Sequence, residues 1–411
     1  MMKNLLKLAF GIVATTYLSA PHAGVFSIDT TVFNNESSNR GAASFTNVDD
    51  TFGSLSDARL RLINPAYTGV EVAIGNIDYR GLAMTATYPA ASSPLLLLSV
   101  PALGINETFL GATRNESQRQ LVDFLKKNGN GILGRIGKEQ AAKSPVDPIA
   151  GNPNSLMSQL VMQDFMNSFT DFATNIKAPS TVSGPATSLI GIGSRFGQYQ
   201  QGGATSKALT IPLSYTFRND LDPRRQLSFN LPITLGDVEG SKSYYAALRS
   251  SYRFPMNDNW ALTPAVNYAL AGSADLGALA SVASLSLTSS YLFRGERFNL
   301  AIGNMLGYYT TMKASSGEYS YDPDISNTVL RNGLMFSNPV SVGGRKMSVE
   351  YSLVDTRFFG DELFVDHYNE VGISLGTNKS AASARSYLRA GVSYLHAEKS
   401  QGFAVNLGYW F

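Results

Sequence analysis

The stretch Phe403-Ala404-Val405-Asn406-Leu407-Gly408-Tyr409-Trp410-Phe411 alternates between two kinds of side chain. Large apolar residues stand at the odd positions, and mostly small or polar residues stand between them. Since side chains of a β-strand point alternately to its two faces, the stretch predicts a strand with one apolar face. We expect this strand to be the last element of the chain, so that no later element covers that face.

The same alternation recurs beyond residue 185. In one segment the apolar residues are Leu209, Ile211, Leu213, Tyr215 and Phe217. A soluble β-sandwich can alternate too, but it would carry more charge than the 16% found here. The pattern therefore predicts an all-β membrane fold, an antiparallel transmembrane β-barrel of about twelve strands over residues 185–411. The predicted strands are 190–200, 209–217, 227–235, 244–254, 260–270, 280–293, 297–310, 326–337, 345–355, 368–377, 385–396 and 402–411.

A final strand that ends on an aromatic residue resembles the closing strand of Gram-negative outer-membrane β-barrels. The resemblance implies an assembly signal that the barrel-assembly machinery reads, made of Phe403, Val405, Leu407, Tyr409 and Phe411. It also implies periplasmic chaperones as partners during export, and outer-membrane lipid and lipopolysaccharide as surroundings. It does not indicate a substrate.

The start of the chain agrees with export. Lys3 and Lys7 give a short basic start, and the stretch 8–20 is largely apolar. Small residues follow, so residues 1–23 are predicted to be a secretory signal peptide rather than a membrane helix. We expect the mature protein to reside in the outer membrane of a Gram-negative bacterium.

Composition excludes several kinds of chemistry. The chain has no cysteine and a formal net charge of only +2, which argues against thiol chemistry and nucleic-acid binding. The histidines of the mature region are His367 and His396, and Asp366 beside His367 should point to the opposite strand face. We therefore predict no enzyme activity, no metal and no cofactor. The oligomeric state stays open.

Connection lengths suggest an orientation. If the first barrel strand runs outward, the tight turns 255–258 and 294–297 fall on the periplasmic side. The longer connections 313–324 and 357–366 then fall on the outer side. The connection 338–344 is longer than expected for a periplasmic turn.

Two regions precede the barrel. Residues 24–110 form a β-rich region, which could supply extra barrel strands or a small periplasmic β-domain. Residues 111–184 are predicted to be a helical segment, because apolar residues recur there at helical spacing. Its longer helix carries the stripe Leu156, Leu160, Phe165 and Phe169.

A helical segment just before a barrel resembles autotransporters and amyloid-export pores, in which a helix threads or plugs the lumen. The resemblance implies that residues 116–177 fill the barrel. The apolar stripe of the longer helix fits a polar lumen poorly, however. A periplasmic helical hairpin therefore remains the alternative.

Charged residues on the predicted inward face mark the lumen. They could form an ion-pair network that fills the interior, or a constriction that selects anions. These residues are Arg249, Arg253, Arg331, Lys346, Glu350, Glu370 and Arg389.

Together these features predict a passive channel for solutes or a polypeptide, with residues 116–177 as its candidate plug. One alternative is an autotransporter-like translocator that exports a short N-terminal passenger, residues 24–110. Another is a closed barrel that works through its outer loops as an adhesin or structural protein. Conductance and surface exposure of the N-terminal region would separate the three hypotheses.

Overall fold

The computed structural model describes residues 25–34, 37–127, 131–170, 188–316, 319–377 and 387–410. These residues form an N-terminal α+β domain, a short helical segment and a closed barrel. The predicted signal peptide, residues 1–23, lies outside the described residues, and so do residue 411 and the start of the predicted strand 385–396.

The N-terminal domain, residues 25–143, is built on a six-stranded antiparallel sheet in the order β2-β1-β3-β4-β5-β6. Four helices cover one face of this sheet, so Phe26 and Ile28 share one core with Leu121 and Ile136. The elements are β1 Phe26–Asn34, β2 Ser37–Phe45, α1 Val48–Gly53, α2 Asp57–Ile63, β3 Val72–Tyr79, β4 Leu82–Tyr88, β5 Leu96–Val100, β6 Ile105–Phe109, α3 Arg114–Lys127 and α4 Ile132–Lys143.

This domain divides the chain differently from the sequence prediction. The strands before residue 110 form their own sheet and add nothing to the barrel. The first part of the predicted helical segment, α3 and α4, belongs to the same core as that sheet. Amphipathic helices need an apolar surface to cover, and the nearest one is the sheet face that precedes them.

Twelve antiparallel strands close the barrel in the described part of the chain, as the sequence predicted. The last strand pairs with the first, so the wall has no free edge. The strands are β7 Leu189–Gln201, β8 Ala204–Arg218, β9 Gln226–Val238, β10 Ser241–Pro255, β11 Trp260–Ser273, β12 Ala278–Arg294, β13 Asn299–Met312, β16 Ser326–Val342, β17 Arg345–Gly360, β18 His367–Thr377, β19 Tyr387–His396 and β20 Ser400–Trp410; a hairpin, β14 Ala314–Ser316 and β15 Tyr319–Tyr321, extends the connection between β13 and β16.

The wall shows the alternation that the sequence predicted. On β9, Leu231, Ile233 and Leu235 are exposed on the outside, whereas Asn230 and Thr234 are buried inside. The described residues of the closing strand follow the same rule, since Phe403, Val405, Leu407 and Tyr409 all point outward and are exposed. The outer surface is thus an apolar belt, and the inner surface is polar.

Connection lengths do not separate the two ends of the barrel as predicted. The turns 202–203 and 239–240, at the predicted outer end, are as short as the turn 343–344 at the other end. That last turn is shorter than expected, because β16 and β17 continue as a paired hairpin to Val342 and Arg345. The long connections 313–325 and 361–366 do fall on the predicted outer end.

None of the helices that the structure describes is both long and apolar enough to span a membrane.

Candidate functional site

A helix lies inside the barrel. This helix, α5 Leu156–Phe165, begins after Ser155, whose hydroxyl accepts a hydrogen bond from the Ser158 backbone N–H. A π-helical turn, Met166–Thr170, continues it. Every residue of α5 except Gln163 is buried, and the helix contacts β11, β12 and β13. A single helix can be buried on all sides only if other elements surround it, so α5 occupies the lumen.

The residues of the predicted plug stripe lie there. Leu156, Leu160, Phe165 and Phe169 are all buried in one cluster with inward-facing residues of the barrel wall. The sequence argument that an apolar stripe fits a polar lumen poorly overlooked the wall beside the helix. Inward residues such as Met335 give that wall apolar patches.

A buried carboxylate attaches the helix to the wall. The side chain of Asp164 is fully buried, and its Oδ1 accepts a hydrogen bond of 2.7 Å from Arg249 Nε. Asn267 Nδ2 donates to the same carboxylate at 3.0 Å, and the Tyr309 hydroxyl donates at 2.6 Å. Arg249 Nη2 also donates to Ser168 Oγ at 2.8 Å. We call these five residues the helix anchor.

Two glycines let the helix approach the wall closely. A Cβ atom at Gly303 would lie 2.5 Å from the ring of Phe169, and one at Gly333 would lie 2.6 Å from the ring of Phe165. Real Cβ atoms essentially never come within 3.0 Å of such a neighbour. The two rings pack on each other with centroids 5.0 Å apart. The glycines thus form a recess for both aromatic rings.

A second group of charges flanks this recess. Arg331 is fully buried and forms an ion pair with Glu370. Its guanidinium carbon lies 5.4 Å from the centroid of the Phe165 ring, and its Nη1 donates to the Tyr368 hydroxyl at 3.4 Å. A guanidinium over an aromatic face is attractive, so this pair also holds the helix.

The lumen is not completely filled. A cavity of about 160 Å³ remains between α5 and strands β7, β8 and β20. Arg195, Glu350 and Arg389 line it together with small residues. Glu350 and Arg389 form an ion pair of 2.6 Å, and the Ser374 hydroxyl donates to Glu350 at 2.8 Å.

The structure brings most of the predicted lumen residues together in pairs. Arg331 pairs with Glu370, and Glu350 pairs with Arg389. The remaining residues are placed as follows: Arg249 belongs to the helix anchor, Arg253 is buried and donates to Gln226 Oε1 at 3.2 Å, and Lys346 is exposed at the turn between β16 and β17.

Lys346 therefore has no place in a constriction. Its pairing partner Ser341 lies beyond the last residue of β16 that pairs with β13, which is Ser337. The hairpin of β16 and β17 extends past the end of β13 at this point. The side chain of Lys346 is therefore in contact with solvent rather than with the lumen.

Sequence reasoning missed the residues that attach the helix. Asp164, Asn267 and Tyr309 were not singled out, nor were Gly303 and Gly333. One signal was available, because Asp164 is the sole charged residue between Leu156 and Thr170 in the sequence. A single charge in an apolar helix is expensive to bury unless it finds a partner.

The N-terminal domain packs against the predicted outer end of the barrel. The Val48 backbone N–H donates to the carbonyl oxygen of Asp275 at 2.9 Å, and Lys138 Nζ pairs with Asp361 at 2.8 Å. In α4, a Cβ atom at Gly137 would lie only 1.8 Å from the Tyr321 hydroxyl, so this helix touches the β14–β15 hairpin closely. The predicted periplasmic location of this region therefore conflicts with the orientation predicted for the barrel.

The link from the domain to α5 runs over the barrel mouth. The backbone N–H of Phe364 donates to Ala141 O at 2.8 Å, and that of Val365 donates to Gly151 O at 2.9 Å. Beneath the domain, the buried Arg80 pairs with the buried Asp147 at 3.3 Å. The chain thus passes from the domain, through the mouth, into the lumen and on to β7, which begins at the far end.

One carboxylate makes the stability of the domain depend on pH. Glu71 accepts hydrogen bonds from the Thr68 backbone N–H at 2.8 Å and the Thr68 hydroxyl at 2.6 Å. Partial burial raises its pKa, but these hydrogen bonds prevail and lower the pKa from 4.5 to about 2. Because the folded pKa is depressed, the stabilisation is complete above the unfolded value of 4.5 and is lost as pH falls through about 2.

We expect E71Q to flatten the pH dependence of domain unfolding between pH 4.5 and 2. Thermal unfolding followed by near-ultraviolet circular dichroism of the tyrosines measures this. E107Q, in β6 of the same sheet, serves as the control and should keep the slope. Equal slopes for E71Q and the parent protein would contradict the assignment.

His367 and His396 both lie on the outer wall. His367 Nε2 is 2.7 Å from Asp355 Oδ2, a cross-strand partner that the sequence prediction did not consider. His396 ends β19 and is also exposed. Neither histidine lines the lumen.

The barrel wall is apolar on the outside and mostly polar on the inside, and α5 occupies its lumen. An apolar outer belt with a polar interior is typical of β-barrels that span a membrane. The fold is a closed, antiparallel, twelve-stranded β-barrel. No protein-family description and no curated protein sequence matches it. Several solved barrels are similar in fold.

Three of these solved structures illustrate the likeness. The β domain of the Bordetella autotransporter BrkA is 15% identical, with a TM-score of 0.42 over 55% of this chain and 98% of that one. The translocator domain of the autotransporter NalP from Neisseria meningitidis is 12% identical, with a TM-score of 0.45 over 62% and 97%. An outer membrane channel from Pseudomonas putida F1 is 12% identical, with a TM-score of 0.40 over 57% and 98%. At this identity the likeness concerns the fold alone.

Proposed function

We propose that this protein is an outer-membrane anchor that exports its own N-terminal domain and keeps it on the cell surface. The barrel serves as translocator and anchor, α5 occupies the lumen after export, and residues 25–143 are the displayed domain. One observation carries the proposal. The chain leaves the domain at one barrel mouth, passes through the lumen as α5 and starts β7 at the opposite end.

The apolar belt supports a location in a membrane. Strands such as β9 and β11 hold 13 and 14 residues, and their outward side chains are largely apolar. A transmembrane strand needs about 9–11 residues when it is tilted by about 45°. Closure of the barrel satisfies the backbone hydrogen bonds that lipid cannot satisfy.

The strand number supports the orientation. An even number of antiparallel strands puts both barrel termini at one end, and in bacterial single-chain barrels we take this end to be periplasmic. The N-terminal domain packs at the other end, against the connections 274–277, 313–325 and 361–366. It then lies outside the cell. The displayed domain is also longer than the passenger predicted from sequence, because α3 and α4 belong to it.

A solute channel is the second candidate function. The cavity beside α5, with Glu350, Arg389 and Arg195 in its lining, is the observation that favours it. Most lumen charges are paired with each other, however, and such pairs fill an interior rather than attract ions. The remaining hypothesis, a closed barrel that acts as an adhesin or structural protein, is compatible with surface display of the N-terminal domain. It differs only in what the displayed domain would bind.

Membrane-impermeant thiol labelling of intact cells tests the proposal. The chain has no cysteine, so L62C and M256C each introduce a single thiol. Leu62 is 84% exposed on the N-terminal domain, and Met256 is 52% exposed in a turn at the opposite end of the barrel. We expect L62C to react on intact cells and M256C only after the outer membrane is permeabilised.

Two outcomes would overturn this assignment. If M256C reacts on intact cells and L62C does not, the domain faces the periplasm. If neither reacts on intact cells although the protein fractionates with the outer membrane, the domain is not displayed. Display would then be abandoned in favour of a channel or a closed barrel.

A further inference from the structure

A row of polar side chains crosses the apolar belt on the outside of the barrel. Its members sit opposite one another on neighbouring strands from β12 to β18, so they form one continuous line around the wall. They are Ser289, Asn304, Asn332, Asp355 and Asn369. We call them the polar row.

The centre of the row lies well inside the belt. On β13, Asn304 stands between the outward residues Ile302 and Leu306, at least five residues from either end of the strand. At about 3.3 Å per residue and a tilt of about 40°, that is roughly 12 Å of depth. On β16, Asn332 likewise stands between the exposed Leu330 and Leu334.

Both central amides are exposed, and they bond to each other. Asn304 Nδ2 donates to Asn332 Oδ1 at 2.7 Å. This bond uses a single N–H of the two amide groups, so donors and acceptors on both side chains can still bond outward. Nearby, Trp260 Nε1 donates to the Ser289 hydroxyl at 3.0 Å. Hydrocarbon offers no hydrogen-bond partner to such groups, so lipid alone is a poor neighbour for them.

We infer that the polar row is the contact surface for a second copy of this chain. An asparagine side chain both donates and accepts, so a pair of them is complementary to the same pair rotated by a two-fold axis. Side-chain hydrogen bonds of this kind hold membrane segments together, whereas apolar contact alone gives little preference over lipid. The inference rests on the barrel spanning a membrane, but not on which end faces outward.

The chemistry of the row favours protein over a lipid headgroup. A phosphate needs cations, and the amides at the centre are neutral. The cationic groups beside the row lie towards its outer end. There, Arg357 Nε donates to Asp355 at 3.1 Å and His367 Nε2 lies 2.7 Å from the same carboxylate.

Cysteine cross-linking in outer membranes tests the inference. L334C places a single thiol two residues from Asn332 on the same outward face and leaves both amides intact. I211C places one on the outward face of β8, on the opposite side of the barrel. With a short bis-maleimide, we expect L334C to give a covalent dimer and I211C to give little. Adding N304L and N332L to L334C should weaken the dimer by about tenfold or more, the effect of one to two lost membrane hydrogen bonds.

The outcomes are distinct. Equal cross-linking of L334C and I211C means random collision and overturns the inference. A cross-link from L334C to another protein, with no dimer of this chain, overturns the choice of partner. If S250L, an outward polar-to-apolar change on β10, weakens the dimer as much as N304L/N332L does, the amides are not specific. Extraction of all variants by carbonate would show instead that the barrel is not in the membrane, which is a failure of the proposed function.

Discussion

Replacing Gly303 and Gly333 by alanine should unseat the lumen helix and open the barrel. The new methyl groups would lie 2.5 and 2.6 Å from the rings of Phe169 and Phe165, so the rings must move. Overpacking costs about 1–3 kcal/mol per site, and two sites therefore shift the balance towards a displaced helix by roughly thirtyfold or more. We expect G303A/G333A to conduct in planar bilayers, while the parent protein conducts little.

Two further variants serve as controls for this result. G376A adds a methyl to an inward glycine whose nearest neighbour would lie 3.4 Å away, and it should behave like the parent protein. Shortening both phenylalanines to leucine in the G303A/G333A background should restore the low conductance, because the space that was filled is returned. A silent G303A/G333A barrel with intact heat-modifiable migration would contradict a helix held by this recess.

The second large effect concerns the helix anchor. D164N removes the charge that compensates the buried Arg249 while it keeps the shape of the side chain. Leaving one partner of a buried ion pair without compensation typically costs about 3–5 kcal/mol. We expect the free energy of unfolding in lipid vesicles to fall by about this amount, measured by urea titration of the fluorescence of Trp260 and Trp410.

The double variant D164L/R249M is the control for this prediction. Replacing both members of a buried pair by apolar residues is often neutral or stabilising, so the double variant should recover most of the lost stability. If the double variant is as unstable as D164N, the loss comes from the hydrogen bonds that Asn267 and Tyr309 donate to Asp164, which the double variant also removes. The anchor would then be a hydrogen-bond cluster rather than an ion pair.

Local alternation was enough to predict the barrel. Side chains of a strand alternate between its two faces, so every second residue lies on the same face. The outward apolar face of β9 or β20 can therefore be recognised from the sequence without knowing which strands pair with it. The same alternation predicted the number of strands and the inward direction of Arg331 and Glu370. These properties depend on the chain close to each residue.

The occupied lumen depends on contacts far apart in the sequence. Asp164 meets Arg249 across 85 residues and Tyr309 across 145, and no spacing rule connects them. Gly333 looks like any strand glycine until Phe165 is placed against it. The prediction for Lys346 failed in a different way. The alternation correctly places its side chain on the inward face of the strand, but at that point the strand extends beyond its neighbour and the residue is exposed. The alternation tells which face of the strand a residue occupies, but not how deep in the barrel the residue lies.

The closure of the wall sets an order of assembly. β7 pairs with β20, so the ring cannot be completed until the final strand has formed. The helix, however, is attached to β11, β12 and β13, on the part of the wall away from that junction, and the cavity faces the junction. Under the proposed export, the helix can therefore dock on this part of the wall while the ring is still open at the junction of β7 and β20. Pairing of these two strands then closes the barrel around the helix.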